Sequence, residues 1–170
     1  MRIRLAELHE IAVLNDVDDD ASELFGIVPE VAFVMNYAGR SEQELQAFVE
    51  ARAAYVAEEA GLVIGYALFG TVDDAAHLFQ VSVRMRHQRR GVARRLIEAG
   101  CDWARMRGLL GMTLTTFRDI AWNGPAYARL GFEPLEEALA SAELGAILAH
   151  EREIGLFRAP RIAMLRRLAP

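Results

Sequence analysis

The sequence predicts an α/β fold of the mixed α+β kind, with a central mixed, mostly antiparallel sheet flanked by helices. Strand-like apolar runs alternate with helix-like runs along the chain, which favours helices packed on a sheet. The runs Tyr55–Glu58 and Leu62–Phe69 flank the turn Glu59–Gly61 and predict an antiparallel hairpin. A third run, Ala76–Val83, leads through a tight basic turn directly into a long helical pattern.

Composition limits the class of protein. The chain has 170 residues, of which 53% are hydrophobic and 25% charged, so we expect a single domain over residues 1–170. No apolar run reaches the ~18 residues of a membrane span, and the N-terminus lacks the apolar core of a secretory signal. The single cysteine, Cys101, lies in a helical pattern and is expected to be a packed thiol. We therefore expect a cytoplasmic protein without a metal site.

Charge is distributed unevenly along the chain, whose formal net charge is −5. Residues 1–80 carry 15 acidic and 4 basic side chains, whereas residues 81–170 carry 9 acidic and 15 basic ones. Net acidity argues against nucleic acid as a partner, and the local excess of arginine indicates one anion site. Lysine is absent, which excludes lysine Schiff-base chemistry and a P-loop lysine.

The first third of the chain predicts one strand and two helices. The strand Ile3–Ala6 precedes a helix from Glu7 to about Asn15. The run Asp16–Asp20 predicts an acidic break in that helix and a solvated loop. Ser41 and Glu44 form a capping-box pattern, in which each side chain bonds the other's backbone N–H, and begin a helix that ends at about Ala53.

The second half of the chain continues the alternation. The helix after Gly91 places an apolar stripe on one face, which we expect to be buried: Val92, Leu96, Ala99, Trp103 and Met106. Four further elements are predicted: the strand Met112–Phe117, the helix Pro125–Leu130, the helix Leu139–Ile154 and the strand Arg161–Leu168.

The strongest functional pattern is the turn between the strand Ala76–Val83 and the long helix. The first N–H groups of a helix lack intrahelical acceptors, and the helix dipole adds positive charge there. Glycine at position 91 has no Cβ and lets the backbone approach an anion closely. The turn therefore predicts a pyrophosphate site formed by Gln88, Arg89, Arg90, Gly91, Val92 and Ala93. The other nearby arginines are expected to be surface or salt-bridge residues: Arg84, Arg86, Arg94 and Arg95.

Three segments together resemble the GCN5-related N-acetyltransferase (GNAT) superfamily. Gln88, Gly91 and Ala93 match the family's Gln/Arg-x-x-Gly-x-Gly/Ala turn, and the preceding strand, residues 77–83, has the family's form. Residues 122–132 are similar to the family's Asn…Tyr…Gly-Phe segment. The resemblance covers roughly residues 54–135 and implies the GNAT acyl-CoA N-acyltransferase fold, whose sheet splays between its fourth and fifth strands.

The resemblance also implies an activity, the transfer of an acetyl group from acetyl-CoA to a primary amine by direct attack in a ternary complex. The turn would bind the pyrophosphate of coenzyme A, and backbone groups around Val81 and Val83 would contact the pantetheine arm. Asn123 matches a residue that contacts the cofactor or orders its segment. Tyr127 matches the family tyrosine that protonates the departing thiolate, and a phenol with a pKa of ~10 is protonated at neutral pH.

The general base is not identified by the resemblance. Many relatives carry Glu on the fourth strand, where this chain has Phe79 and Gln80. Several alternatives stay open: His77, Asp119, or a water chain from Glu23 or Glu30.

Other functions and partners also stay open. The absent strand Glu fits a non-catalytic acyl-CoA-binding regulatory domain as well as an enzyme. The acceptor is expected to be a small-molecule or peptide amine, with neither nucleic acid nor membrane as a partner, and the run Asp16–Asp20 could form a negative rim that steers a cationic amine. A homodimer through the segment from Leu139 onward is a further option.

Overall fold

The computed structural model describes residues 1–37, 39–137 and 140–169, and these residues form two compact units. The first unit comprises residues 1–70 and 78–103, and the second comprises residues 71–77 and those from 104 onward. Seven strands are found in the described residues: β1 (Arg2–Leu5), β2 (Ala54–Glu59), β3 (Leu62–Val72), β4 (Ala75–Val83), β5 (Gly111–Phe117), β6 (Glu133–Leu135) and β7 (Arg161–Arg167). The α-helices are α1 (Ile11–Ser22), α2 (Glu42–Glu50), α3 (Val92–Arg105), α4 (Gly124–Ala128) and α5 (Ala142–Glu153).

The strands form one sheet in the order β1-β2-β3-β4-β5-β7-β6. The pairs β1/β2, β2/β3, β5/β7 and β6/β7 are antiparallel, whereas β4 and β5 are parallel. The register of the parallel pair joins Ala76 to Met112 and His77 to Thr113, at the beginning of both strands. The mixed, mostly antiparallel sheet flanked by helices is therefore confirmed, while the single domain over residues 1–170 stays a prediction.

The core of the first unit is built by α1 and α2 against the β1–β3 strands. Leu14 and Val17 of α1 and Leu45 of α2 are fully buried in this core, together with side chains of β2 and β3. The capping box of α2 is confirmed, because Glu44 N donates to Ser41 Oγ at 3.3 Å and Ser41 N donates to Glu44 Oε2 at 2.8 Å. An amphipathic helix with a satisfied first turn is thus held on the sheet.

The acidic run Asp16–Asp20 is not a solvated loop, so this prediction is wrong. Helix α1 continues through it to Ser22. Val17 is fully buried, and the carboxylates of Asp18 and Asp20 have hydrogen-bond partners outside the helix. Asp18 accepts hydrogen bonds from side chains of β4, and Asp20 accepts from the Met85 backbone N–H at 2.6 Å. Because these bonds replace water, the acidic run stays helical.

Helix α3 buries most of the predicted stripe, but Ala99 is only half-buried and Met106 at its end is exposed. Val92, Leu96 and Trp103 are buried, and Cys101 is the packed thiol expected from the sequence. Met106 is 72% exposed, which contradicts its predicted burial. The helix ends at Arg105, one residue earlier, so the helical periodicity no longer directs the Met106 side chain inward.

The second unit is tied together by polar contacts to α5. Asp73, in the turn before β4, accepts hydrogen bonds from the Ser141 hydroxyl and from the backbone N–H groups of Glu143 and Leu144. This carboxylate therefore caps the start of α5 from a distant part of the chain. The helix begins at Ala142 rather than at the predicted Leu139, which lies outside the described residues.

A buried ion pair joins α5 to β7. Arg161 donates to both carboxylate oxygens of Glu151, at 2.7 and 2.8 Å, and their side chains are only 8% and 11% exposed. Thr115 of β5 donates to the same carboxylate, and the Arg161 guanidinium lies over the Phe117 ring. Removing two charges from water is costly, and this cost is offset only while the two side chains stay paired with each other.

Glu151→Ala is therefore expected to lower the free energy of unfolding by ~3 to 5 kcal/mol, because it leaves the Arg161 charge buried without its partner. Urea denaturation followed by circular dichroism measures the change. Glu153→Ala on the same helix is the matched control, since the Glu153 side chain is 78% exposed and its loss should cost less than ~0.5 kcal/mol. Equal effects of the two substitutions would contradict this role of the pair.

No α-helix in the described residues has the length and apolar character needed to cross a membrane.

Candidate active site

The turn after β4 is shaped by hydrogen bonds from its own side chains and backbone. Arg84 N donates to Ile64 O at 3.0 Å, and the Arg84 guanidinium donates to Val63 O at 3.1 Å, so the end of β4 stays attached to β3. A short 3₁₀ turn follows at Met85–His87. The Gln88 amide then donates back to Val83 O at 3.1 Å, which closes the turn.

The backbone beyond Gln88 exposes a row of N–H groups. Gly91 has φ +77°, and nothing lies within 4 Å of the position that a Cβ would occupy there. The first helical bond of α3 runs from Arg95 N to Gly91 O at 3.1 Å. Within the part of the chain that the structure describes, the N–H groups of Gly91, Val92 and Ala93 donate to no protein acceptor. Donors of this kind at the beginning of a 14-residue helix suit a phosphate.

The arginines of the turn have different roles. Arg89 is exposed and adopts φ +59°, a left-handed conformation that turns the chain toward Gly91. Arg90 forms an exposed ion pair with Glu59, whose carboxylate oxygens both lie 3.1 Å from its guanidinium. Arg95 donates to Met1 O at 3.0 Å. The side chains of Arg84, Arg90 and Arg95 thus bond to the protein, whereas exposed Arg89 and the backbone N–H groups of the turn stay available to a ligand.

Strand β4 exposes its two faces differently. Val83 is buried on the side of α3, since a Cβ at Gly65 would meet the Val83 and Val92 side chains at 3.2 and 3.3 Å. Val81 is half-buried on the same strand. Gln80 and Ser82 alternate with these valines and hydrogen-bond to Asp18 of α1.

The segment Trp122–Phe132 carries two of the predicted site residues. Asn123 immediately precedes α4, and its carbonyl accepts from Ala126 N at 2.8 Å and from Tyr127 N at 2.9 Å. Its side-chain oxygen Oδ1 is buried and has no hydrogen-bond partner among the described residues. A buried acceptor left without a donor costs stability, so this atom is suited to receive an N–H group from a ligand.

The Tyr127 hydroxyl is chemically competent to donate a proton. Its ring packs edge-on against Phe132, with 5.9 Å between ring centroids, and the residue is half-buried. Burial raises the pKa of Tyr127 to about 12, although the positive charge of Arg161 opposes the rise. In the described part of the chain, no hydrogen bond engages this hydroxyl. The phenol is therefore protonated at neutral pH and available.

The four alternatives for the general base lie in different environments. His77 is 2% exposed, and its Nδ1 hydrogen-bonds to Thr113 Oγ1 at 2.8 Å. Asp119 is paired with the adjacent Arg118 at 2.9 Å, which lowers the pKa of its carboxyl and makes it a weaker base. Glu23 and Glu30 are exposed in the segment after α1. None of these observations assigns the proton acceptor to one of the four.

A polar cluster in the first unit was not predicted. It consists of Asp18, Gln80 and Ser82, with the Tyr66 hydroxyl beside them, and we call it the Asp18 cluster. Asp18 Oδ1 accepts from Gln80 Nε2 and from Ser82 Oγ, each at 2.6 Å. The sequence did carry a signal: Leu14, Val17 and Asp18 share one helical face, which places Asp18 beside the buried stripe.

Burial alters the acid–base properties of this cluster. It raises the pKa of the Asp18 carboxyl above its usual range, while the bonds from Ser82 and Gln80 and the charge of Arg40 oppose the rise. The Arg40 guanidinium lies over the rings of Phe48 and Phe79, at 5.6 and 5.7 Å from their centroids. Burial also raises the pKa of Tyr66, so this hydroxyl stays protonated.

The model of the acetyltransferase (GNAT) family matches residues 11–132, most of the chain, and includes α1, β4, the turn and the Asn123–Tyr127 segment. The chain therefore belongs to the acetyltransferase (GNAT) family.

Solved structures of similar fold include three acetyltransferases. N-acetylglutamate synthase of Neisseria gonorrhoeae, complexed with coenzyme A and N-acetyl-glutamate, is 19% identical with a TM-score of 0.76, and the match covers 99% of this chain but only 35% of that one. The PaiA N-acetyltransferase of Thermoplasma acidophilum, in complex with coenzyme A, is 12% identical with a TM-score of 0.72 and 98% of both chains covered. The ribosomal-protein-S18-alanine N-acetyltransferase of Escherichia coli is 19% identical with a TM-score of 0.69, covering 99% of this chain and 94% of that one.

The described residues offer no metal site, because no group of three or more His, Cys, Asp or Glu side chains among them is arranged to hold an ion.

Proposed function

We propose that this chain transfers the acetyl group of acetyl-CoA to a primary amine of a small molecule or peptide, by direct attack in a ternary complex. The observation that carries the proposal is the row of unpartnered backbone N–H groups at Gly91, Val92 and Ala93, with open space in front of Gly91. Two of the similar structures hold coenzyme A, which supports this cosubstrate. Cys101 is buried, which favours direct attack over a thioester intermediate on the enzyme.

The other cofactor contacts follow from the same assignment. The pyrophosphate binds the turn Gln88–Ala93, where the backbone supplies the donors and exposed Arg89 adds positive charge. The pantetheine arm carries amides, and these pair with backbone groups of β4 around Val81 and Val83. Asn123 Oδ1 is the buried acceptor that such an amide N–H can satisfy.

Tyr127 is the proton donor for the departing thiolate in this proposal. Attack of the amine on the thioester forms a C–N bond, and collapse of the tetrahedral intermediate breaks the C–S bond. A proton donated to the departing thiolate assists C–S cleavage and prevents the thiolate from attacking again, and a neutral phenol can supply that proton. The raised pKa of Tyr127, about 12, keeps this proton in place at neutral pH until it is needed.

The acceptor in this proposal is a primary amine of a small molecule or peptide. The similar structures act on chemically different amines, as the names N-acetylglutamate synthase and ribosomal-protein-S18-alanine N-acetyltransferase indicate. We treat residues 1–170 as one acetyltransferase domain working in the cytoplasm, where both acetyl-CoA and these acceptor classes occur. A homodimer is the assembly we propose, and light scattering after size exclusion tests it.

Acetyl-CoA at a hundred times its dissociation constant is expected to stabilise the fold by ~2.7 kcal/mol, because it binds only the folded chain. Differential scanning fluorimetry with acetyl-CoA and with coenzyme A measures the corresponding rise in Tm. Dephospho-coenzyme A is a useful control, since it keeps the pyrophosphate and lacks the 3′-phosphate. Absence of any shift with acetyl-CoA and coenzyme A would overturn the cofactor assignment.

Turnover is tested by thiol release from acetyl-CoA with a panel of L-amino acids, linear polyamines and short peptides with free N-termini. Thiol release that depends on one amine class supports the enzyme and names the acceptor. Tight binding of acetyl-CoA with no thiol release across the panel would instead favour a regulatory domain that binds acyl-CoA.

A further inference from the structure

The Asp18 cluster places a carboxylate against β4 although β4 itself has none. Many relatives in the family carry Glu on this strand, where the chain has Phe79 and Gln80. Asp18 comes from α1, and its Oδ1 lies 2.6 Å from Gln80 Nε2 and 2.6 Å from Ser82 Oγ. Helix α1 thus places a carboxylate beside β4, which has no carboxylate of its own.

We propose that Asp18 accepts a proton from the ammonium group of the acceptor, which makes it a catalytic residue of the acetyl transfer. This inference rests on the proposed function and adds the identity of its general base. It is carried by the hydrogen bonds that hold the carboxylate on β4, the strand that leads directly into the turn Gln88–Ala93.

The bonding pattern suits a base more than a structural tether. The Gln80 amide and the Ser82 and Tyr66 hydroxyls that hydrogen-bond to Asp18 are all neutral, so no positive partner neutralises the carboxylate within the cluster. Asp18 is half-buried, and its second oxygen, Oδ2, faces Gly39, where a Cβ would lie 3.4 Å away. Position 39 therefore contributes no side chain that would cover this oxygen.

The charged and titratable groups around the cluster favour binding of a cation. Asp19 follows on the same helix and adds negative charge, Arg40 contributes positive charge from the segment before α2, and the Tyr66 hydroxyl of β3 is neutral. Arg40 is occupied by Glu44 at 3.6 Å and by the two aromatic rings. A half-buried carboxylate with neutral partners attracts an ammonium group and is a better proton acceptor than an exposed one.

Each turnover releases one net proton. An ammonium acceptor transfers one proton to Asp18, which becomes a neutral carboxylic acid, and the neutral amine attacks the acetyl carbonyl. The C–N bond forms, the C–S bond breaks, and the thiolate takes a proton from Tyr127. The new amide nitrogen releases its second proton to water, water reprotonates Tyr127, and Asp18 releases its proton to water, so one net proton leaves per turnover.

The first test compares two acceptors of the same carbon skeleton in the wild type and in Asp18→Asn. One is the best amine of the panel, which is protonated at neutral pH, and the other is its hydrazide analogue, whose nitrogen is not. Loss of the base should lower kcat/KM for the amine by ~100-fold or more, whereas the hydrazide should lose less than ~5-fold. The thermal shift with acetyl-CoA should be unchanged.

Asp16→Asn is the matched control. It removes the same charge two residues away on α1, and Asp16 is exposed, so its loss leaves the hydrogen bonds of the Asp18 cluster intact. This variant should keep kcat/KM for both acceptors within ~3-fold. An equal loss in both variants would show a charge effect of the whole run and overturn the assignment.

The second test keeps Asp18 and moves its pKa. Ser82→Ala removes a donor that lowers the pKa of the Asp18 carboxyl, so the acid limb of the kcat/KM profile for the amine should move to higher pH. The hydrazide profile should not move, since it needs no base. If Asp18→Asn fails to fold, the pH profile of Ser82→Ala still tests the role of Asp18.

The outcomes separate the two proposals. A wild type that releases no thiol with any amine ends the proposed function and this inference with it. A wild type that turns over, with amine and hydrazide equally affected in Asp18→Asn or with an unmoved acid limb in Ser82→Ala, leaves the proposed function standing and overturns the role of Asp18.

Discussion

Gly91→Glu is expected to abolish the thermal shift that acetyl-CoA produces. The new side chain would enter the open space in front of the unpartnered N–H groups, and its carboxylate would repel the pyrophosphate at the same place. At an acetyl-CoA concentration a hundred times the wild-type dissociation constant, the ligand stabilises the fold by ~2.7 kcal/mol. A variant that no longer binds acetyl-CoA loses the whole of this stabilisation. Isothermal titration with acetyl-CoA measures the same loss directly.

A control is needed because Gly91 has φ +77°, where any side chain is strained. Gly61, in the β2–β3 turn, provides it: its φ is +80°, and it too has nothing within 4 Å of its Cβ position. Gly61→Glu should cost similar fold stability, of the order of 1 kcal/mol, and should keep the full response to acetyl-CoA. Normal binding by Gly91→Glu would show that the phosphates lie elsewhere.

Tyr127→Phe is expected to lower kcat by ~10²- to 10⁴-fold, the usual contribution of a positioned acid. Phenylalanine keeps the edge-on packing against Phe132, so the fold should be preserved. The response of Tm to acetyl-CoA should also be preserved, because the hydroxyl protonates the leaving group and has no assigned role in binding. Stopped-flow detection of thiol release measures the effect under saturating acceptor.

Tyr55→Phe is the matched control for Tyr127→Phe. Tyr55 also packs its ring edge-on against a phenylalanine, Phe69, in the first unit. Its hydroxyl has no role in the proposed mechanism, and kcat should stay within ~2-fold. Unchanged turnover in Tyr127→Phe would show that water or another group protonates the departing thiolate.

The sequence predicted the elements that contain the recognisable turn and strands, and the reason is local. Gln88, Gly91 and the helix after them are specified within a dozen residues by a positive φ, a closing amide and an apolar helical face. The hairpin around Glu59–Gly61 is specified in the same way, by two apolar runs and a short turn. Patterns of this kind need no knowledge of the remaining chain.

The sequence failed where distant residues determine the outcome. Four acidic residues in five were predicted to break a helix, but Asp18 and Asp20 accept hydrogen bonds from residues more than 60 positions away. Local propensity could not include those partners, so both the length of α1 and the Asp18 cluster were missed. Met106 was misplaced for the opposite reason, because a regular pattern continued past the end of its helix.

The hydrogen bond from the Gln88 amide to Val83 O changes how the turn should be recognised in other proteins. Gln88 uses its side chain to hold the loop's shape, and Gly91 contributes by having no side chain. Arg90 points its charge at Glu59 instead. The site is therefore defined by the backbone conformation of the turn. A turn with few arginines can adopt the same conformation as this basic one.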